Sequence, residues 1–183
     1  LTGGLVKNVF LLTGIPGSGK TTVIRKIVSR LACEVGGFYT EEIRESGRRT
    51  GFRLITLDGR QGVLAHVNIR QAPHISRYGV DLAVLDDIGA DCLTRAIVER
   101  DVVVIDEIGP MELLSKNFRR VVLRALESDV VVLGSIVKRR TSYTEVIKEH
   151  PNVHVIEITR ANHDKILAYV LGLIQETGRC EVI

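Results

Sequence analysis

The segment Gly14-Ile15-Pro16-Gly17-Ser18-Gly19-Lys20-Thr21 constrains this chain more than any other stretch. It lies between an apolar run, Val9 to Thr13, and a helix-compatible run, Thr22 to Val28. A buried strand that turns through glycines and restarts as a helix opens a βα unit, and the parallel strands of such units are covered on both faces. The turn also has a chemistry of its own. Gly14, Gly17 and Gly19 permit backbone angles and a closeness of approach that a Cβ would block, so successive N–H groups can converge on phosphate oxygens. Lys20 then reaches β- and γ-phosphates, Thr21 offers a hydroxyl to Mg²⁺, and the start of the helix adds its positive end. The expected nucleotide-binding set is Gly14, Ile15, Pro16, Gly17, Ser18, Gly19, Lys20, Thr21 and Thr22.

Apolar runs recur at Val102 to Ile105, Val130 to Leu133 and Val153 to Ile158. Between them lie helical patterns with one apolar face, such as Leu114, Phe118, Val121, Val122 and Leu126, or Ile166, Val170, Leu173 and Ile174. Another helix is expected over Leu82 to Glu99 with a break at Gly89, and Ser142-x-x-Glu145 reads as a capping box whose helix closes before Pro151. This alternation predicts an α/β fold, a three-layer α/β/α sandwich around a mostly parallel sheet. One region departs from it. Phe38 to Arg44, Gly51 to Leu57 and Val63 to Val67 are strand-like and are separated by Ser46-Gly47 and Asp58-Gly59, which predicts an antiparallel meander inserted near 37–67. Pro73 to Gly79 is expected as a loop. With 183 residues, 45% of them hydrophobic, the chain is expected to form one domain over 1–183.

The net charge of +3 arises from basic residues scattered among 22 acidic ones. It suits a phosphate ligand and leaves nucleic acid possible without indicating it. Cys33, Cys92 and Cys180 are odd in number and widely spaced, so reduced, buried thiols are expected. No run is long enough to span a membrane and the first ten residues carry no signal-peptide core, so a cytoplasmic monomer is the expectation. His66, His74, His150, His154 and His163 lack metal-ligand spacing and read as surface or satisfied structural residues.

Val102-Val103-Val104-Ile105 runs into Asp106-Glu107, the form of a buried strand that ends at a phosphate site. Asp106 is expected to hold Mg²⁺ beside Thr21, and Glu107 to polarise an attacking water, which makes Lys20 and Glu107 the candidate catalytic pair. Val130 to Ser135 should reach the same crevice, with Ser135 either fixing that water or simply ending the strand. Lys138, Arg139 and Arg140 can neutralise charge on a transferred phosphoryl group or form a solvated turn. The ribbon bearing Glu41, Glu42, Arg44, Arg48, Arg49 and Arg53 can act as a lid or as an exposed, ion-paired hairpin. Thr159 to Asn162 can contact a base or cap a helix.

Three segments together carry a family resemblance: GIPGSGKTT; Gly37 to Arg44 with Gly47 to Phe52; and Asp106-Glu107-Ile108-Gly109-Pro110-Met111-Glu112-Leu113. With Tyr78 to Val80, Gly134 to Ile136 and Glu157 to Asn162 in matching order, the chain resembles the THEP1-type nucleoside-triphosphatases, P-loop proteins that include the human cancer-related nucleoside triphosphatase. The resemblance implies slow hydrolysis of ATP, GTP and other nucleoside triphosphates to diphosphate and phosphate, with Mg²⁺ as cofactor. It also implies that the strand ending at Ser135 lies between the phosphate-loop strand and the strand ending at Asp106. Val137 to Thr141 departs from the family's pattern. Two other readings remain: a kinase acting on a nucleoside, nucleotide or polynucleotide end, and a nucleotide-gated binding module.

Overall fold

The computed structural model describes residues 7–183, so the expectations placed on residues 1–6, as part of the domain and of the stretch without a signal-peptide core, lie outside the described residues. In chain order the elements are β1 (Val9–Thr13), α1 (Lys20–Val28), β2 (Val35–Glu45), β3 (Arg48–Thr56), β4 (Gln61–His66), β5 (His74–Ile75) and β6 (Tyr78–Val80). There follow α2 (Leu82–Val84), α3 (Asp91–Glu99), β7 (Val102–Ile108), α4 (Lys116–Leu126), β8 (Val131–Ile136), α5 (Ser142–Lys148), β9 (Val153–Glu157) and α6 (His163–Glu176).

Nine strands form one sheet in the order β5-β6-β4-β3-β2-β7-β8-β1-β9. The β2-β7-β8-β1-β9 half is parallel, and β8 separates β7 from β1, as the resemblance implies. Alternate residues of the central strands face opposite layers. Val9, Leu11, Val103, Ile105 and Val132 pack with Leu93, Phe118, Val122 and Ile147 on one side. Phe10, Leu12, Val102, Val104 and Leu133 pack with Val23, Ile27, Val170 and Ile174 on the other. Both faces of each strand are therefore covered, which is why these strands read as unbroken apolar runs.

The meander is continuous with the core. From Val35 to Tyr39, β2 pairs in parallel with β7, while from Phe38 onward it pairs antiparallel with β3, so one long strand serves both halves of the sheet. Its hairpin turns through Ser46 and Gly47, both at positive φ, as a two-residue turn matched to strand twist requires. Three expectations are corrected in detail. Pro73 to Gly79 contains the hairpin of β5 and β6, because Tyr78 to Val80 is buried against β4. Gly89 breaks nothing, since Leu85 to Ala90 winds as a π-helical stretch between α2 and α3. The N-cap of α5 is Thr141, which exchanges capping hydrogen bonds with Thr144, so the box lies one residue earlier than Ser142 and Glu145 suggest.

The expectation of reduced thiols is overturned at two of the three cysteines. Cys33 and Cys180 form a disulfide, with their Cα atoms 5.4 Å apart. The chain after α6 returns to the end of α1: Ala32 N–H donates to Glu181 O, Ile183 N–H donates to Arg30 O, and Leu31 bridges Val182. A separation of 147 residues leaves no local pattern in the sequence. Cys92 remains a buried thiol, and burial pushes its pKa up to about 12. Thiol titration of the denatured, unreduced protein should therefore find one reactive cysteine, and three after reduction. Closing so long a loop restricts the unfolded chain, so reduction should cost roughly 4–5 kcal/mol in the chain-entropy limit and lower Tm.

Candidate active site

Parallel packing brings the carboxyl ends of β1, β8 and β7 to one edge of the sheet, and the phosphate loop leaves β1 there. Gly14 passes so near the neighbouring chain that a Cβ would come within 2.5 Å of Ile158 O and 2.8 Å of Ser18 Oγ. Gly19 holds φ at 91° as the N-cap of α1, and a Cβ there would strike the His163 ring at 2.4 Å. Lys20, the first helical residue, folds back so that Nζ lies 3.4 Å from Gly14 O and 3.8 Å from Glu107 Oε2. Its side chain is only 11% exposed, so the cation is held inside the loop.

Asp106 is buried at the end of β7, opposite Tyr39 of β2. Ser135 Oγ donates to Asp106 Oδ1 at 2.5 Å, so Ser135 aims the carboxylate rather than standing free for a water. Burial raises the Asp106 pKa, against the hydrogen bond from Ser135, the nearby Thr21 hydroxyl and the charges of Lys20 and Arg25. Burial likewise raises Glu107, against the pull of Lys20, while Asp106 pushes the same way as burial. Two carboxylates and one ammonium thus occupy a poorly hydrated corner that favours a further cation.

Several buried polar atoms here lack a protein partner: Thr13 Oγ1 at the end of β1, Ser18 Oγ in the loop, and Asp106 Oδ2. An unmet buried acceptor on Asp106, next to a threonine hydroxyl, is the hard oxygen chemistry that suits Mg²⁺. No group of three or more His, Cys, Asp or Glu able to hold a metal occurs among the described residues.

The structure gathers Gly14 to Thr21 with Asp106 and Glu107. Ile15 stands 65% exposed at the rim, with Pro16 and Thr22 also outward. Two of the cations after β8 are held in ion pairs, and Lys138 reaches the end of β9 opposite Thr13. Lys138 pairs with Glu157 and Arg140 with Glu145, both at 2.6 Å, while Arg139 borders an apolar pocket of about 270 Å³ beside Val137 and Tyr143. The hairpin is ion-paired in part, Arg44 and Arg49 sharing Glu42 while Glu41 faces Arg25 of α1. Asn162 neither caps α6 nor stands free: Oδ1 accepts from Thr159 N–H at 2.8 Å and Nδ2 donates to Glu157 O.

Two further residues stand at the site, one far along the chain and one within the third segment of the resemblance. His163, expected to be a surface or structural residue, donates through Nε2–H to Ser18 O at 2.6 Å, and nearby Arg160 Nε donates to Gly17 O at 3.4 Å. The His163 hydrogen bond ties the Ser18–Gly19 peptide of the loop to the start of α6. The second is Glu112, on a 3₁₀ turn (Glu112–Leu114) after β7. A Cβ on Gly109 would lie 2.9 Å from both Glu107 Oε1 and Glu112 Oε2, so the two carboxyls flank one point. Burial, then the charge of Glu107, pushes the Glu112 pKa up to about 8 from an ordinary 4.5. The folded chain therefore keeps a proton that the unfolded chain releases. The Glu112 contribution to stability is full below about pH 4.5 and is lost as pH rises toward and through 8. Denaturant titrations across that window should show the decline in the native chain and a flatter profile in Glu112→Gln.

A family model described as NTPase matches residues 9–171. The nucleoside-triphosphatase THEP1 of Thermotoga sp. (strain RQ2) is 44% identical over 165 residues, which cover 90% of this chain and 94% of that one. The chain belongs to the THEP1 nucleoside-triphosphatase family. The THEP1 crystal structure from Aquifex aeolicus superposes with a TM-score of 0.84 at 36% identity, over 91% of this chain and 99% of that one. The solution structure of the human cancer-related nucleoside triphosphatase gives 0.77 at 34% identity, over 93% and 98%. THEP1 membership accounts for the sheet order and for the phosphate loop at its carboxyl edge, the P-loop nucleoside-triphosphatase fold. None of the described helices is long and apolar enough to cross a membrane.

Proposed function

We propose that the chain hydrolyses ATP, GTP and other nucleoside triphosphates to the diphosphate and phosphate, with Mg²⁺ and with Glu107 as the base. The observation that carries this reading is the 3.8 Å approach of Lys20 Nζ to Glu107 Oε2. It puts the cation that receives a γ-phosphate beside a carboxylate able to take a proton from water. Thr21 and Asp106 would hold Mg²⁺, which when bound supplies charge neutralisation on the phosphate oxygens. The loop N–H groups and Lys20 bind and orient the triphosphate. Glu107 accepts a proton from the water whose oxygen bonds to the γ-phosphorus, while the bond from that phosphorus to the β–γ bridging oxygen breaks and its electron pair leaves on the diphosphate. Glu107 keeps a third of its side-chain surface open, a path for returning the proton to solvent.

Phosphate release from ATP, GTP, CTP and UTP, each with and without Mg²⁺ and with no other acceptor, tests the proposal. Mg²⁺-dependent release from several triphosphates is expected. Binding without release would overturn hydrolysis and favour transfer to a second substrate.

A further inference from the structure

Residues 41–80 hold seven arginines, no lysine and four carboxylates, a net +3 equal to the charge of the whole chain, so the remainder is neutral. The excess that looks scattered in the sequence is thus confined to one end of the sheet, the extension formed by the outer part of β2 with β3 to β6. Arg44 and Arg49 share Glu42, and Arg60 is held by Asp58 and Asp91. Arg48, Arg53, Arg70 and Arg77 form no ion pair among the described residues, and Arg48 and Arg70 make no side-chain hydrogen bond either.

The fold gathers most of these cations at the hairpin's far end. Val67 N–H donates to Thr50 O, which sets the segment leading to Arg70 beside Arg49, and Arg77 donates to Arg49 O and to the Tyr78 hydroxyl. The guanidinium of Arg49 lies 5.1 Å over the Phe52 ring and 5.9 Å over Tyr78, and that of Arg77 lies 5.1 Å over Tyr78. Stacking restricts those planes, and the Arg49 side chain keeps 41% of its surface exposed.

We propose that this end of the ribbon binds a single-stranded nucleic acid through its phosphodiester backbone. The cations are all arginine, whose planar fork matches phosphate oxygens, and stacked guanidinium planes accept the faces of unpaired bases, which a duplex hides. A membrane surface fits less well, because Val63 is the one large apolar side chain in residues 41–80 that stands well exposed, and interfacial anchoring needs an apolar face to insert. The ribbon is also joined to the nucleotide site. Tyr39 of β2 lies opposite Asp106, and Glu41 pairs with Arg25 of the helix that begins at Lys20. This inference does not depend on the proposed hydrolysis.

Fluorescence anisotropy of the full chain with labelled single-stranded RNA and DNA oligonucleotides of about twenty nucleotides tests it, with a duplex and phosphatidylserine vesicles as further arms. If about three phosphates are engaged, binding should weaken roughly twentyfold between about 50 and 200 mM salt. The double variant Arg48→Gln/Arg70→Gln should weaken binding by roughly tenfold at low salt, with Tm and phosphate release unchanged. Arg120→Gln/Arg124→Gln on α4, which removes the same charge elsewhere, should leave binding intact. Equal loss in both double variants, tighter binding to duplex than to single strands, or binding to vesicles alone would each overturn the proposal.

Discussion

Lys20→Ala should lower triphosphate turnover by on the order of 10²–10³-fold, the cost of removing one preorganised charge-stabilising donor from a water-poor site. Lys20 is nearly buried, and it alone places a cation between Gly14 O and Glu107. Alanine therefore removes the ammonium that meets the β- and γ-phosphates, and also strips Glu107 and Asp106 of the charge that opposes their burial. The second effect compounds the first, because two carboxyls with raised pKa values then face the triphosphate with less compensation. Binding of a fluorescent triphosphate analogue should weaken together with turnover. Phosphate release within about threefold of the native rate, in a variant whose thermal unfolding is unchanged, would remove Lys20 from the mechanism.

What could be read in the sequence follows from the range of the interactions involved. The bounds of β1, the glycine-rich turn and the Asp106-Glu107 strand end are dictated by neighbouring residues: apolar side chains that must be buried on both faces, then a backbone that must turn beneath a ligand. The turns at Ser46-Gly47 and Asp58-Gly59 are equally local, each with a glycine at positive φ. Less accessible were the features made by residues far apart. The contact of His163 with Ser18 spans 145 residues, and the disulfide 147. Glu112 has nothing in its own segment to announce full burial, since the cause is the packing of the 3₁₀ turn against β7. The role of Ser135 emerges only once β8 is seated beside β7. The double service of β2 was hidden because its parallel pairing with β7 covers only the short Val35 to Tyr39 stretch before the hairpin pattern takes over.

Glu107→Gln should separate the two halves of the site. The amide keeps the size of the side chain and its place at the end of β7, so the loop, Lys20, Thr21 and Asp106 should still receive the nucleotide, and affinity should stay within about threefold. The amide cannot accept a proton from water at neutral pH, and kcat should fall by about 10²–10⁴-fold, the usual worth of general base catalysis. The variant also removes the negative charge nearest Lys20 and Glu112. Triphosphate binding should therefore be slightly tighter if it changes at all, and the Glu112 pKa should fall toward its ordinary range. Single-turnover phosphate release measured beside equilibrium binding distinguishes the outcomes. A slow step with intact binding assigns Glu107 to the chemistry, whereas equal losses in both would make it a binding residue.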